Sequence, residues 1–239
     1  MPILLFCKMQ FSIHKKFQLN NTSFNNYDDL LVFAKKLSSS IFSFLSDFLS
    51  ESEVIIVQTS GSTGMPKLIE IKKEFMINSA LATGEFFDLK ESTTALLCMN
   101  PEFIAGKMML VRALVLGWNL DVVLQSLNPL KEVEKHYDFT AMVPLQVHHS
   151  FEDLHKIKKL IVGGGVVSKE LEAKLQTIKT EVFATYGMTE TITHIAVKRV
   201  NGLRIKDERL KVKGLHNVTV STVERSFYKT LQGIKISKD

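Results

Sequence analysis

The apolar positions of this 239-residue chain change their period along its length. Leu30, Leu31, Phe33, Ala34 and Leu37 recur at helical spacing behind Asp28 and Asp29, predicting a helix from Asp28 to about Ser50. Its second half, Ile41 to Leu49, is Phe-rich. Interrupting serines and Asp47 point to a core-facing helix rather than one lying on a membrane. Ahead of it, residues 1–27 read as a short strand and a polar connection, with turns marked by Asn20, Asn21, Asn25 and Asn26.

Beyond Ser50, short apolar runs alternate with longer helical patterns. Strands are predicted over Val54–Gln58, Leu68–Ile71, Thr94–Met99, Leu120–Leu124, Thr140–Val143, Leu160–Val162 and Glu181–Ala184. Helices are predicted over Glu74–Phe87, Ile104–Leu116 and Pro129–His136, and from a Ser168 cap through Gln176. This alternation predicts an α/β fold, layered, with largely parallel sheets flanked by helices. No fixed-period repeat interrupts it. After Lys198 the pattern degrades, and only Val218–Val223 keeps strand character.

Composition adds an ordinary globular background, 45% hydrophobic and 23% charged, enough for a sizeable core. The formal charge of +5 suggests polyanion binding until it is located. Residues 1–197 hold 19 basic and 21 acidic side chains; residues 198–239 hold 11 and 4. The basicity belongs to the tail, which has few aromatics (Phe227, Tyr228) and no nucleic-acid-binding motif, so no nucleic-acid partner is expected. Cys7 and Cys98 lie in apolar runs, without metal-ligand spacing, and read as buried thiols. His148, His149 and His155 form no zinc pattern and suit a partly exposed helix, while Lys158 and Lys159 suggest a solvated edge. No window reaches the ~20 apolar residues of a membrane span, and a cytoplasmic protein is expected.

The most informative stretch is Thr59-Ser60-Gly61-Ser62-Thr63-Gly64-Met65-Pro66-Lys67, between two predicted strands. Glycines let backbone N–H groups approach a polyanion, hydroxyls add donors, and Lys67 adds charge. It is not a Walker A loop: Pro66 precedes the lysine, and a strand rather than a helix follows. Downstream, Gly163-Gly164-Gly165 ends a strand, and Ala184-Thr185-Tyr186-Gly187-Met188-Thr189-Glu190 ends the next. A tyrosine can offer adenine a flat surface, a threonine a donor to phosphate, and Glu190 a carboxylate to magnesium.

In order and spacing these three motifs resemble those of the adenylate-forming superfamily, which includes acyl- and aryl-CoA synthetases, luciferases and nonribosomal adenylation domains. The resemblance implies ATP and Mg²⁺ as cofactors and CoA as co-substrate. Nucleotide contacts would come from Thr59, Ser60, Gly61, Ser62, Thr63, Gly64 and Lys67, from Gly163, Gly164 and Gly165, and from Thr185, Tyr186, Gly187, Met188 and Thr189. Lys67, Thr189 and Glu190 would be catalytic, with Glu190 the metal ligand.

Phe103-Ile104-Ala105-Gly106-Lys107 through Arg112 and Leu114 is similar to the acyl-pocket helix of the o-succinylbenzoate–CoA ligases, as are Asn128-Pro129-Leu130 and Ala141-Met142-Val143-Pro144. Phe103 stands where many superfamily members have His, so a titratable group is absent there. The substrate implied is an aromatic dicarboxylate, o-succinylbenzoate, met by Phe103, Ala105, Gly106, Lys107 and Arg112. Lys107 and Arg112 are the candidate partners for its non-reacting carboxylate. Met108, Met109 and Leu110 read at least as well as plain core.

The resemblance makes residues 1–197 the core of the large N-terminal AMP-binding domain and 198–239 an atypical basic segment, with disorder expected over part of it. Leu231–Ser237 resembles the family segment that follows the Tyr-Gly-Met-Thr-Glu motif, after some thirty intervening residues. The ribose-binding Asp, the hinge and the small C-terminal domain with its catalytic Lys have no counterpart in this sequence. A truncated chain of impaired activity is therefore expected, with a C-terminal domain acting in trans or a homo-oligomer as candidate partners. Alternatives are another acyl- or aryl-CoA synthetase, a non-catalytic nucleotide-binding remnant, and a nucleic-acid binder using residues 198–239.

Overall fold

The computed structural model describes residues 12–59, 67–202, 205–210, 218–223 and 229–230. Two short strands, β1 (Gln18–Leu19) and β2 (Thr22–Ser23), flank a turn in which Asn20 and Asn21 both take positive φ, 47° and 59°. That geometry favours asparagine at the two central positions of a tight hairpin. Two helices follow, α1 (Tyr27–Leu37) and α2 (Ser39–Leu49). The Asn26 side chain caps α1 by accepting from the Asp29 amide at 2.8 Å.

The single helix expected to run to Ser50 is broken at Ser38, whose φ of −164° is extended. Serine hydroxyls compete for local hydrogen bonds, and Ser38 Oγ lies 2.9 Å from Ser40 Oγ at the break. Each half then turns its own apolar stripe inward, with Leu30 and Ala34 buried on α1 and Ile41, Phe44, Leu45 and Phe48 buried on α2.

Next come β3 (Val54–Gln58), β4 (Leu68–Lys72), α3 (Lys73–Phe86), β5 (Thr94–Leu97), α4 (Ile104–Leu116), β6 (Asn119–Val122) and β7 (Tyr137–Met142). Then follow α5 (Pro144–His149), a 3-10 segment over Phe151–Lys156, β8 (Ile157–Val162), α6 (Lys169–Leu175), β9 (Glu181–Gly187) and β10 (His194–Arg199). The backbone continues through β11 (Ile205–Leu210), β12 (Val218–Val223) and β13 (Lys229–Thr230). Among the described residues the strands form three sheets. The main one has nine strands in the order β13-β10-β9-β8-β7-β5-β6-β1-β2; β3 pairs with β4, and β11 with β12. From β1 through β9 the main sheet is parallel, and antiparallel pairs finish both sides. The expected largely parallel α/β architecture is present.

Its central strands are buried on both faces, which explains their continuous apolar runs. Ala95, Leu97, Phe139, Ala141 and Ile161 pack with α1–α4, while Leu96, Leu160, Val162, Val182 and Ala184 pack with the α6 side chains Leu171 and Leu175. Helix α4 is apolar on nearly every side because it lies inside one layer, where Met108, Met109, Leu110, Val111 and Leu114 are 0% exposed. Each contributes about 1.5–3 kcal/mol by that burial. Gly117, at φ 70°, ends the helix in the left-handed conformation.

Two expectations are corrected, and one about a cysteine is met. Pro129–His136 forms turns, not a helix: the Asn128 side chain accepts from the Leu130 amide at 3.2 Å, and Lys156 Nζ takes the Leu130 carbonyl at 3.0 Å. The helix stands instead at Pro144–His149, where proline opens the first turn and exposes His148 and His149. Lys158 and Lys159 occupy β8, an interior strand rather than an edge; Lys159 Nζ donates to the Phe87 carbonyl. Cys98 is buried and its thiol pushed up to about 12 by desolvation, as an inert core cysteine should be.

Candidate functional site

The carboxyl ends of adjacent parallel strands gather the motif residues. β8 runs directly into Gly163–Gly165, and β9 ends at Tyr186-Gly187. In open α/β sheets this is where ligands sit. Close backbone approach requires two of these glycines. A Cβ on Gly163 would lie 2.6 Å from Thr185 Oγ1, and one on Gly187 only 2.2 Å from the Thr193 carbonyl oxygen. Gly164 needs its freedom differently, at φ 72°. Thr185 fastens the two strand ends together, its hydroxyl donating to the Val162 carbonyl at 3.0 Å.

Between these ends lies a cleft of about 400 Å³, lined by Gly164, Gly165, Val167, Glu172, Tyr186 and Lys198 among others. Strand alternation explains one wall. Ala184 and Tyr186 share a face of β9, and the antiparallel register sets Lys198 opposite Ala184 on that face. The Tyr186 ring is 56% exposed, leaving a broad aromatic surface at the mouth. Helix α6 supplies the opposite wall, its N-terminus capped by the Ser168 hydroxyl, which accepts from the Leu171 amide at 3.1 Å.

Past Gly187 the chain turns tightly through a 3-10 segment, Thr189–Thr191. Thr191 organises the turn: its hydroxyl oxygen accepts from the Met188 amide at 2.9 Å and lies 3.0 Å from the Met188 carbonyl and 2.9 Å from the Thr193 carbonyl. Ile192 takes φ 71°, a strained conformation for a β-branched residue. Glu190 is exposed on this turn, and Thr189 is half-buried.

The acyl-helix residues divide. Gly106 is fixed by packing, since a Cβ there would meet the Asn100 carbonyl oxygen at 2.4 Å. Phe103 and Ala105 are exposed at the start of α4. Lys107 holds the preceding loop, donating to the carbonyls of Pro101 at 2.9 Å and Glu102 at 2.7 Å, with its ammonium over the Phe44 ring. Arg112 is 1% exposed and has no carboxylate partner among the described residues. Its guanidinium donates to Thr83 Oγ1 at 3.3 Å, to Met109 Sδ at 3.7 Å and to Thr193 Oγ1 at 3.0 Å. Burial lowers its pKa to about 9.

Thr193 thus joins two regions that are far apart in sequence, the acyl-helix arginine and the turn after the Tyr-Gly-Met-Thr-Glu motif. Beside it His194 is 6% exposed, with Nε2 unpartnered and Nδ1 3.3 Å from Thr193 Oγ1. Desolvation, followed by the nearby Arg112 charge, depresses the imidazole to about 3. Sequence reasoning missed Thr193 and His194 because the residues after Glu190 carry no motif and β10 has no clean alternation. Glu172 and Lys198 went unnoticed for the same reason: only the fold brings them to the cleft.

Of the phosphate-loop residues, Ser60, Gly61, Ser62, Thr63 and Gly64 lie outside the described residues, as do Cys7 and Leu231–Ser237 and much of the 198–239 segment. Thr59 and Lys67 at the loop's two ends are placed. The Thr59 amide donates to the Lys67 carbonyl at 2.9 Å, extending the β3–β4 ladder by one step.

Residues 24–220 match the model of the AMP-binding enzyme family. The chain belongs to that family. It is 28% identical over 204 residues to the 2-succinylbenzoate–CoA ligase of Enterococcus faecalis, covering 81% of this chain and 40% of that protein. It is 30% identical over 152 residues to a linear gramicidin synthase protein of Brevibacillus parabrevis, covering 61% of this chain and 3% of that one. A crystal structure of an acyl-CoA synthetase (AMP-forming)/AMP-acid ligase II-like protein from Dyadobacter fermentans superposes with a TM-score of 0.64 at 36% identity, covering 69% of this chain and 49% of that chain. This chain therefore spans about half or less of the proteins it matches.

No group of three metal-ligating side chains occurs among the described residues, and Glu190 stands as a single exposed carboxylate. Mg²⁺ is commonly held by one or two carboxylates together with substrate phosphates and water, and Glu190 could supply one such carboxylate. Among the described residues no helix is long and apolar enough to cross a membrane.

Proposed function

We propose that this chain contributes to ATP-dependent activation of a carboxylate, with o-succinylbenzoate as the acid. The carboxylate oxygen attacks the α-phosphorus of ATP, the bond to the bridging pyrophosphate oxygen breaks, and acyl-adenylate and pyrophosphate result. The CoA sulfur then attacks the acyl carbonyl, AMP leaves, and the thiol proton passes to solvent. The cleft between Gly163–Gly165 and Thr185–Gly187 receives the adenosine, with Tyr186 beside the base. The loop from Thr59 to Lys67, including Ser60 through Gly64, wraps the β- and γ-phosphates, and Thr189 donates to the α-phosphate. Glu190 would hold Mg²⁺, which would supply neutralisation of phosphate charge. Such transfers depend on positioning and charge neutralisation, which backbone donors and one lysine can provide.

The observation that carries the acyl reading is Arg112. A guanidinium this deeply buried without an acid costs several kcal/mol. A substrate bearing a second carboxylate offsets that cost by pairing with it, and Thr193 sets the arginine directly behind the motif turn. Lys107 is the weaker candidate, since two backbone carbonyls already hold it. Phe103 and Ala105 would meet the ring. The likeness to the Enterococcus ligase supports this substrate, whereas the gramicidin synthase and Dyadobacter likenesses support the broader class of acids.

Pyrophosphate exchange with a panel of acids decides between them. Exchange stimulated by o-succinylbenzoate and lost with Arg112→Met supports the proposal. Equal stimulation by monocarboxylic acids would replace it with a general acyl or aryl activator, and no exchange with any acid would leave only nucleotide binding.

A further inference from the structure

The cleft lined by Tyr186 also carries two opposite charges that none of the motifs includes. Glu172, on the inner side of α6, and Lys198, on β10, line it together and face one another at 3.8 Å. This distance is long for a hydrogen bond, so the pair is held by charge alone and its polar capacity is unspent. Among the described residues, neither the Glu172 carboxylate nor the Lys198 ammonium makes any other hydrogen bond or ion pair. Both are anchored to rigid elements. Glu172 lies between the buried Leu171 and Leu175 of α6, and Lys198 is registered to Ala184 inside the sheet. The floor beneath them is apolar, formed by Ala184, Val167 and Val200.

An aromatic side chain, several apolar ones, and one acceptor beside one donor on the same lining together fit a flat heteroaromatic base whose edge carries a donor next to an acceptor. Adenine has that edge: its exocyclic amine donates, and its neighbouring ring nitrogens accept. We propose that Glu172 and Lys198 read the base, the Glu172 carboxylate accepting from the adenine amine and the Lys198 ammonium donating to an adjacent ring nitrogen. The assignment rests on the ATP reading of the same cleft and names the residues that set its choice of base. In the orientation that suits adenine, guanine places a carbonyl oxygen where adenine has its amine and so meets the carboxylate with an acceptor. Purine riboside has no group at that position.

Titration calorimetry of the full chain with ATP, GTP and purine riboside triphosphate tests this. The unmodified chain should prefer ATP to purine riboside triphosphate by roughly tenfold, the worth of one charge-assisted hydrogen bond, and should bind GTP more weakly than ATP. Glu172→Ala should erase the preference over purine riboside triphosphate while leaving that ligand's affinity unchanged. Lys198→Met should weaken both ligands by a similar factor, because both keep the ring nitrogens. Glu172→Gln, which retains a neutral acceptor, should keep part of the preference and serves if the alanine variant fails to fold. ATP binding whose base preference is the same in the chain and in its Glu172 variants overturns this assignment and leaves the ATP reading standing. No ATP binding by the unmodified chain overturns both.

Discussion

The Thr59 hydroxyl accepts a hydrogen bond from the Lys67 backbone amide at 3.0 Å, locking together two residues that bracket the glycine- and hydroxyl-rich loop. With the Thr59 amide bonded to the Lys67 carbonyl, both edges of the loop's root are closed. A root fixed this way would lower the entropy cost of the proposed grip on phosphates.

Thr59→Val keeps the side-chain shape and removes the acceptor. It should cost about 1 kcal/mol of stability. It should also weaken ATP binding severalfold, with AMP less affected because AMP lacks the outer phosphates. Urea unfolding and nucleotide titration measure the two effects separately; equal losses for ATP and AMP would refute a role in gripping those phosphates.

Gly187→Ala should be far more damaging than Gly164→Ala. At Gly187 the new methyl meets backbone atoms, the Thr193 carbonyl at 2.2 Å and His194 Cα at 2.6 Å, which cannot move without parting β9 from β10. At Gly164 the nearest atom is Val143 Cγ1 at 3.4 Å, and the cost is the positive φ, about 1–2 kcal/mol. A shift of the urea midpoint at least twice as large for Gly187→Ala is the expected result.

Arg112→Met should leave stability within about 1 kcal/mol of the parent or raise it, because a buried unpaired cation is replaced by an apolar chain of similar reach. The same change should lower activation of a dicarboxylic acid by tenfold or more. Loss of stability with unchanged acid activation would assign Arg112 a purely structural part.

His194 makes stability depend on pH, with a definite sign. Its pKa is about 3 in the folded chain against an ordinary value of 6.5, so protons bind the unfolded chain more tightly. No penalty exists above pH 6.5; stability falls as pH drops below that value and continues to fall until about pH 3. At pH 5 the loss is about 2 kcal/mol. His194→Asn should remove that part of the difference between urea midpoints at pH 7.5 and pH 5, and an unaltered difference would exclude this imidazole as its source.

Much of the scaffold was legible in the sequence because periodicity there reports burial directly. Helix α4 occupies the predicted span, Ile104–Leu116, and the β3 and α6 boundaries agree within a residue. Failures arose where local chemistry overrode the period. Ser38 broke one predicted helix, and Asn128 drew Pro129–His136 into turns. Motif glycines and Tyr186 were readable because close approach and flat aromatic surfaces demand particular residue types. Thr193, His194, Glu172 and Lys198 were not: each is an ordinary residue made distinctive by a neighbour 20 to 90 positions away, which only strand pairing brings near.

The hairpin of β9 and β10 has one further consequence. Tyr186 lines the cleft proposed for the nucleotide, and seven residues later Thr193 holds the arginine proposed for the acid, so one short ribbon carries both proposed sites. Whatever stiffens that ribbon for one ligand has already stiffened it for the other. If both proposed sites are occupied, thermodynamic reciprocity requires any gain in one affinity to appear as the same factor in the other. The tight turn at Thr189–Thr191, built from a few hydroxyl bonds and one strained isoleucine, would be the link between the two proposed sites.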